Sequence, residues 1–290
     1  MKQVLTLVAD PSVAPLTAVV TARVRDAVGG GDPVTLSPDE AVDIPLAAPP
    51  DMEAVRAALD GAPVDAIAVP ADGRRKALLV ADMDSTIVTG ETLDELADFA
   101  GLKARISAIT ARAMNGELDF KAALRERVAM LRGMPLDALE KTWQRVRLTA
   151  GARELVATMR AHGAYAALVS GGFSFFTGRV AAHVGFDLHR SNTLLDDGAA
   201  LTGRVGEPIL DRDSKLDTLT RLAAERGLPL SATLAVGDGA NDLDMLRAAG
   251  LGVAFRAKPI VAAQARARVD HADLRALLFA QGYRREDITG

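Results

Sequence analysis

Two short apolar runs, Ala77-Leu78-Leu79-Val80-Ala81 and Ala232-Thr233-Leu234-Ala235-Val236, each lead straight into a string of carboxylates, and this constrains the fold more than any other feature. Runs of this kind, apolar with little polar alternation, fit strands buried on both faces, as in parallel sheets. The order from Ala77 onward is strand, a long helical block, then alternating strand and helix. Strands are expected at Tyr165 to Val169, Ala232 to Val236 and Leu251 to Phe255, the last closing the sheet. Helices are expected from Phe173, around Leu216 to Arg226, and from Asn241 to Ala249, with a hairpin of arms Ser191 to Leu195 and Ala200 to Val205 turning at Asp196-Asp197-Gly198. This is the pattern of an α/β fold with crossover helices.

Residues 1–75 read differently. Short β-type runs (Val4 to Val8, Ala66 to Val69) alternate with helical patterns (Leu16 to Val28, Met52 to Leu59) in a β-α-β-β-α-β order, which predicts a small α+β unit. The polar stretch Asp72-Gly73-Arg74-Arg75-Lys76 marks the expected boundary with a second unit, residues 76–290. Inside that second unit, about residues 91–148 show 3.6-period apolar positions (Leu93, Leu96, Phe99; Leu124, Val128, Leu131) and no convincing strand. The block is therefore expected as a helical insertion over the sheet.

Composition excludes several functions. The chain has 290 residues and no cysteine, so disulfides, thiolate metal sites and cysteine nucleophiles are out. A net charge of -4 gives no global field for nucleic acid or anionic membrane, and neither is an expected partner. No apolar stretch is long enough to span a bilayer. The first residues read as a strand ended by Asp10 and not as a signal peptide, so a cytoplasmic location is expected.

The chemistry-bearing residues collect at strand ends. Asp82 and Asp84 follow the first run, and Asp238 and Asp242, within Gly237-Asp238-Gly239-Ala240-Asn241-Asp242, follow the second. In open parallel sheets, ligands bind beyond the carboxyl ends of strands. The first string alone also fits an acidic helix-capping turn. If the four carboxylates converge, bare like charges about 4 Å apart repel by roughly 4 kcal/mol per pair at an effective dielectric of 20, so a cation is required. Oxygen-only donors favour Mg2+. Ser170-Gly171-Gly172, at a strand end expected to open a helix, offers a hydroxyl and backbone N–H groups to an anion, although a plain strand-to-helix turn reads the same way. Lys215 starts a helix, where the dipole gives a cation nothing, which is easier to explain if it faces an anion. The four histidines have no paired spacing and are expected to be surface or structural residues.

In this order, Asp82-Met83-Asp84-Ser85-Thr86, Val169-Ser170-Gly171-Gly172-Phe173, Lys215 and Gly237 to Met245 resemble the four motifs of the haloacid dehalogenase-like phosphohydrolases over about residues 77 to 280. Within the insert, Val88 to Leu96 and Asp119 to Val128 resemble the cap segments of phosphoserine phosphatases. The resemblance implies a Rossmann-like haloacid dehalogenase core with a helical cap, and a small ferredoxin-like N-terminal domain. It makes Asp82 the nucleophile and Asp84 the general acid and base. Mg2+ would be held by Asp82, the Asp84 carbonyl and Asp238, with Asp242 in support. Ser170, Gly171 and Lys215 would hold the phosphoryl group, with Asn241 near it, while Glu91 would meet the ammonium and Arg127 the carboxylate of phosphoserine. At Leu148-Thr149-Ala150-Gly151 the chain departs from family members that carry a proline before the glycine. Effector binding, a structural role or homodimerisation stay open for the N-terminal unit. The competing activities are transfer of the phosphoryl group to an acceptor alcohol such as homoserine, and sensing of phosphoserine or serine without turnover.

Overall fold

The computed structural model describes residues 2–114 and 118–290. The N-terminal part contains β1 (Gln3–Ala9), α1 (Ala18–Ala27), β2 (Val34–Ser37), β3 (Ala41–Leu46), α2 (Met52–Leu59) and β4 (Val64–Pro70). Its strands form an antiparallel sheet in the order β2-β3-β1-β4, the ferredoxin-like arrangement expected from the element order. Both helices start at side-chain caps, Thr17 accepting from the Val20 N–H and Asp51 from the Glu53 N–H.

This sheet is buried on both faces. Leu5, Leu7 and Ala9 pack with Val24 and Val55 of the two helices, while Val8, Ile67 and Val69 join the core of the larger unit. Strand alternation sends successive side chains to opposite faces, so β1 serves two cores at once. Three polar contacts fix the junction. Asp65 accepts from the N–H groups of Asp270, His271 and Ala272 at 2.7–3.0 Å. Arg74 pairs with Asp43 at 2.6 Å and donates to the carbonyls of Phe279 and Ala280. Glu40, on the turn before β3, pairs with Arg275 at 2.8 Å.

The larger unit continues with β5 (Leu78–Ala81), α3 (Thr92–Asp98), α4 (Lys103–Met114), α5 (Phe120–Ala129), α6 (Asp137–Arg145), α7 (Ala152–Ala161), β6 (Tyr165–Phe173), α8 (Ser174–Val184) and β7 (Leu188–Asn192). Then come β8 (Leu194–Asp196), β9 (Leu201–Val205), α9 (Asp213–Glu225), β10 (Thr233–Gly237), α10 (Leu243–Ala248), β11 (Leu251–Phe255), α11 (Pro259–Ala262), β12 (Ala267–Val269) and α12 (Ala276–Ala280). A parallel sheet runs β12-β11-β10-β5-β6-β7. The chain leaves β5 toward β6 and β7, then returns to its other side at β10, so a topological switch point lies at β5.

Four expectations need correction. The sheet does not close at β11, because Ala267–Val269 adds an edge strand too short to register as a run. Ser191 belongs to β7, which pairs with β6, and the hairpin proper begins at Leu194. Strand β6 runs on through Phe173, so Gly171 and Gly172 lie in extended chain and not at a helix start. Phe99 is 37% exposed, with the Arg145 guanidinium 4.1 Å over its ring, whereas Leu93, Leu96, Leu124, Val128 and Leu131 are buried.

Helices α3 to α6 form the insertion. Its ends lie side by side, with Val88 bridged to Leu148 and the Thr89 N–H donating to the Arg147 carbonyl at 3.0 Å. Helix α5 packs on β9 and is tied to the sheet domain by Lys121–Asp211 (2.9 Å) and Arg125–Glu207 (2.7 Å).

Candidate active site

Asp82 follows the last residue of β5 with extended backbone (φ -71°, ψ 159°), and Asp84 is extended too (φ -67°, ψ 136°). Two extended residues separated by one share a face, so both carboxylates turn to the crevice while Met83 between them is fully buried. The chain then reverses through Ser85, which takes the left-handed conformation at φ 57°.

Beyond β10, Asp238 and Asp242 meet Asp82. One carboxylate oxygen from each of these three buried residues lies within 4.8 Å of the others. At that spacing each bare pair repels by about 3–4 kcal/mol at an effective dielectric of 20. Lys215, 2% exposed on the first turn of α9, supplies one counter-charge, 2.6 Å from Asp82 Oδ1 and 2.5 Å from Asp242 Oδ1. Burial works against its charge, but Asp242 and Asp82 hold its pKa above the ordinary lysine value. Burial also pushes Asp82 well above the usual carboxylate range, Lys215 opposing the rise and Asp242 and Asp238 adding to it. Asp238 is pushed up to about 6 by burial and then by Asp242.

The donor set fits a divalent metal. Asp242 spends Oδ1 on Lys215 and Oδ2 on the Gly239 N–H, and Asp238 Oδ1 accepts from Thr86 at 3.4 Å. Asp82 and Asp238 are then the residues best placed to ligate, with no nitrogen or sulfur donor in the group.

Asp84 lies to one side of this cluster. Its Oδ1 accepts from the Thr92 N–H at 2.8 Å and its Oδ2 from the Ser170 hydroxyl at 3.3 Å. Burial pushes its carboxyl up to about 7, the charge of Glu91 adds to the rise, and the bonds from Thr92 and Ser170 oppose it. A carboxyl raised this way holds its proton at a pH where an ordinary carboxylate has lost it, as a proton donor requires. The Ser170 oxygen also accepts from the Gly172 N–H at 2.8 Å. A Cβ on Gly172 would sit 2.9 Å from Asp84 Oδ2, which is why glycine stands there. Asn192 donates to the Gly171 carbonyl and accepts from the Leu210 N–H, binding this strand to the segment that leads to Lys215.

A cavity of about 280 Å³ covers these groups, and its wall includes Asp82, Asp84, Glu91, Arg127, Ser170, Gly171, Asp238 and Asn241. Lys215 and Asp242 stand behind that wall, bonded to it. Glu91 accepts from the Ser85 hydroxyl at 2.9 Å. Arg127 on α5 is 9% exposed and donates to the Ala123 carbonyl and the Thr110 hydroxyl. All ten residues singled out from the sequence thus gather at one place. None of the four histidines lines it.

Sequence reading missed Phe120, Thr110, Arg212 and Lys258 in the wall. Lys258 Nζ lies 3.8 Å from Asp238 Oδ2. Its signal was its place just after β11, at the carboxyl end of a strand beside β10. Phe120 and Thr110 carry no local signal, being helix residues whose place at the cavity tertiary structure decides, and Arg212 reaches the wall with a largely exposed side chain paired with Asp244 at 2.7 Å.

Comparison with known proteins agrees with this geometry. Residues 79–247 match the model of the haloacid dehalogenase-like hydrolase family. A phosphoserine phosphatase of Streptomyces coelicolor is 38% identical over 296 residues, covering 99% of this chain and 72% of the relative. A crystal structure of a HAD family hydrolase from Salmonella enterica serovar Typhi superposes with a TM-score of 0.84 at 28% identity, covering 96% of this chain and 98% of the other. A structure described as a phospho-aspartyl intermediate analogue of phosphoserine phosphatase matches with a TM-score of 0.67 at 38% identity, over 71% of this chain and 98% of the other. With its four motifs gathered around one buried carboxylate cluster beneath a helical insertion, the chain belongs to the haloacid dehalogenase-like hydrolases.

Proposed function

We infer that this chain is a phosphoserine phosphatase, hydrolysing O-phospho-L-serine to L-serine and phosphate, the last step of serine synthesis by the phosphorylated route. The observation that carries the reading is the single cavity whose wall holds Asp82, Asp84 and Ser170 together with Glu91 and buried Arg127. A phosphate, an ammonium and a carboxylate on one small molecule match that set of charges.

In this reading Asp82 attacks phosphorus, forming an aspartyl phosphate as the bond to the serine oxygen breaks. Asp84 gives its proton to that departing oxygen. Asp84, now ionised, takes a proton from water, whose oxygen attacks phosphorus and frees Asp82 and phosphate. Lys215, Ser170 and the Gly171 N–H hold the equatorial oxygens, with Asn241 beside them. A divalent metal, which we propose is Mg2+ held by Asp82, the Asp84 carbonyl and Asp238, supplies Lewis-acid charge to the phosphoryl oxygens; Asp242 supports the cluster through Lys215. The insertion would exclude bulk water from the intermediate. No helix among the described residues is long and apolar enough to cross a membrane, and we propose a cytoplasmic enzyme. Homodimerisation through residues 1–75 is a further proposal, checked by mass in solution.

Purified protein with Mg2+ should release phosphate from phosphoserine far faster than from phosphothreonine or sugar phosphates, and Asp82→Asn should abolish release. Equal rates across the panel would overturn the substrate. A new phosphoester formed on adding homoserine would show a phosphotransferase instead.

A further inference from the structure

Arg127 poses a problem of partners. Its guanidinium is buried on α5, keeps its charge at any working pH and brings five N–H donors into the cavity wall. Among the described residues no carboxylate lies within ion-pair distance of it. Asp94 and Glu91 favour its charge from farther off, and Asp94 accepts from the Ser107 hydroxyl at 2.6 Å. Two bonds hold the guanidinium. Nε donates to the Ala123 carbonyl at 3.2 Å, one turn back on its own helix, and Nη1 donates to Thr110 Oγ1 at 2.9 Å on α4.

Thr110 can act there only as an acceptor. Its single hydroxyl proton goes to the Ile106 carbonyl at 3.0 Å, so its oxygen turns a lone pair to Arg127. A bond to its own helix fixes the guanidinium at Nε, and a bond to a second helix fixes its rotation. Three N–H donors then remain in a defined plane at the cavity.

We propose that Thr110 is a specificity-determining positioning residue, whose hydroxyl sets the plane of the Arg127 guanidinium so that its remaining donors meet the substrate carboxylate as a fork. The inference rests on Arg127 as the carboxylate-binding group in the proposed function. Without the hydroxyl, Nη1 loses its acceptor and the fork is free to turn away. The loss then falls on binding of the carboxylate and not on phosphoryl transfer.

The test measures kcat and KM for phosphoserine and for O-phosphoethanolamine, which keeps the ammonium and lacks the carboxylate. Wild type, Thr110→Val, Thr110→Ser and Arg127→Ala are compared, each with its melting temperature. Thr110→Val should lower the ratio of kcat/KM for phosphoserine over O-phosphoethanolamine by about tenfold, the order expected for one lost charge-assisted hydrogen bond. The loss should fall mainly on KM, and Thr110→Ser should restore the ratio. If Thr110→Val fails to fold, Thr110→Ala takes its place. A selective loss in Arg127→Ala with an unchanged ratio in the Thr110 variant overturns the role of Thr110 alone. Equal losses on both substrates in Arg127→Ala overturn the carboxylate reading itself, and the inference with it.

Discussion

Lys215 and Asp82 face each other across 2.6 Å with side chains only 3% and 8% exposed. The ammonium thus touches the carboxylate expected to carry the phosphoryl group, and also holds Asp242 behind it. Lys215→Met removes the cation bonded to both acids. We expect kcat to fall by at least about 100-fold, as for loss of a preorganised charge in a dry site. Stability should fall as well, because one-sided removal of a buried partner strands the other charge. Steady-state kinetics and a melting curve read both effects.

Gly172→Ala should damage activity without unfolding the protein. The new Cβ would meet Asp84 Oδ2 at 2.9 Å and Ser170 Oγ at 3.0 Å, both ends of the bond that holds the proposed proton donor. Activity should fall about 10- to 100-fold, the range for disturbed general acid catalysis. The melting temperature should move by only a few degrees.

Metal-free protein should become less stable as pH rises. Asp84 at about 7 and Asp238 at about 6 lie above the unfolded value of 3.8, so the native state binds more protons than the unfolded state between about pH 4 and 7. The stability these groups contribute is fully present below about pH 4 and lost as pH climbs through 6 to 7. Melting in chelator across that window should show a Tm falling by several degrees. Asp84→Asn should flatten the slope, and Mg2+ should raise Tm most at the alkaline end, where the carboxylates are ionised.

Asp65→Ala tests the junction between the two sheets. Its carboxylate answers three backbone N–H groups at Asp270, His271 and Ala272, which alanine would leave without their acceptor, the Ala272 group buried and the other two partly so. We expect a loss of about 2–4 kcal/mol, from the cost of buried unsatisfied donors. Denaturant unfolding measures it. Phosphatase kcat should change far less, since Asp65 is absent from the cavity wall.

Much of the site was legible because phosphoryl chemistry at strand ends is locally encoded. Asp82 and Asp84 follow one apolar run and Asp238 and Asp242 another, and β5 and β10 are neighbours in the sheet. The raised Asp84 pKa has a cause that only the folded chain supplies. Neighbouring carboxylates contribute through Glu91, but burial is the larger cause, and burial belongs to the folded state. Likewise β12 and the outer end of β6 escaped notice. The former is three residues long, and the latter crosses two glycines that signal a turn in isolation.

By itself the sequence determined the alternation of strands and helices as far as β11, the position of each acid at a strand end, and the family. Those depend on neighbours along the chain, where apolar period and turn chemistry act. Only tertiary structure decided how charge is shared at the centre: Lys215 bonded to both Asp82 and Asp242, Asp84 set apart on Thr92 and Ser170, and Arg127 held by Thr110 from another helix. The same is true of the N-terminal sheet, whose second buried face became visible only where Val8 and Ile67 meet the larger core. Burial, dielectric and hydrogen-bond partners arise between residues far apart in sequence, so no local pattern records them.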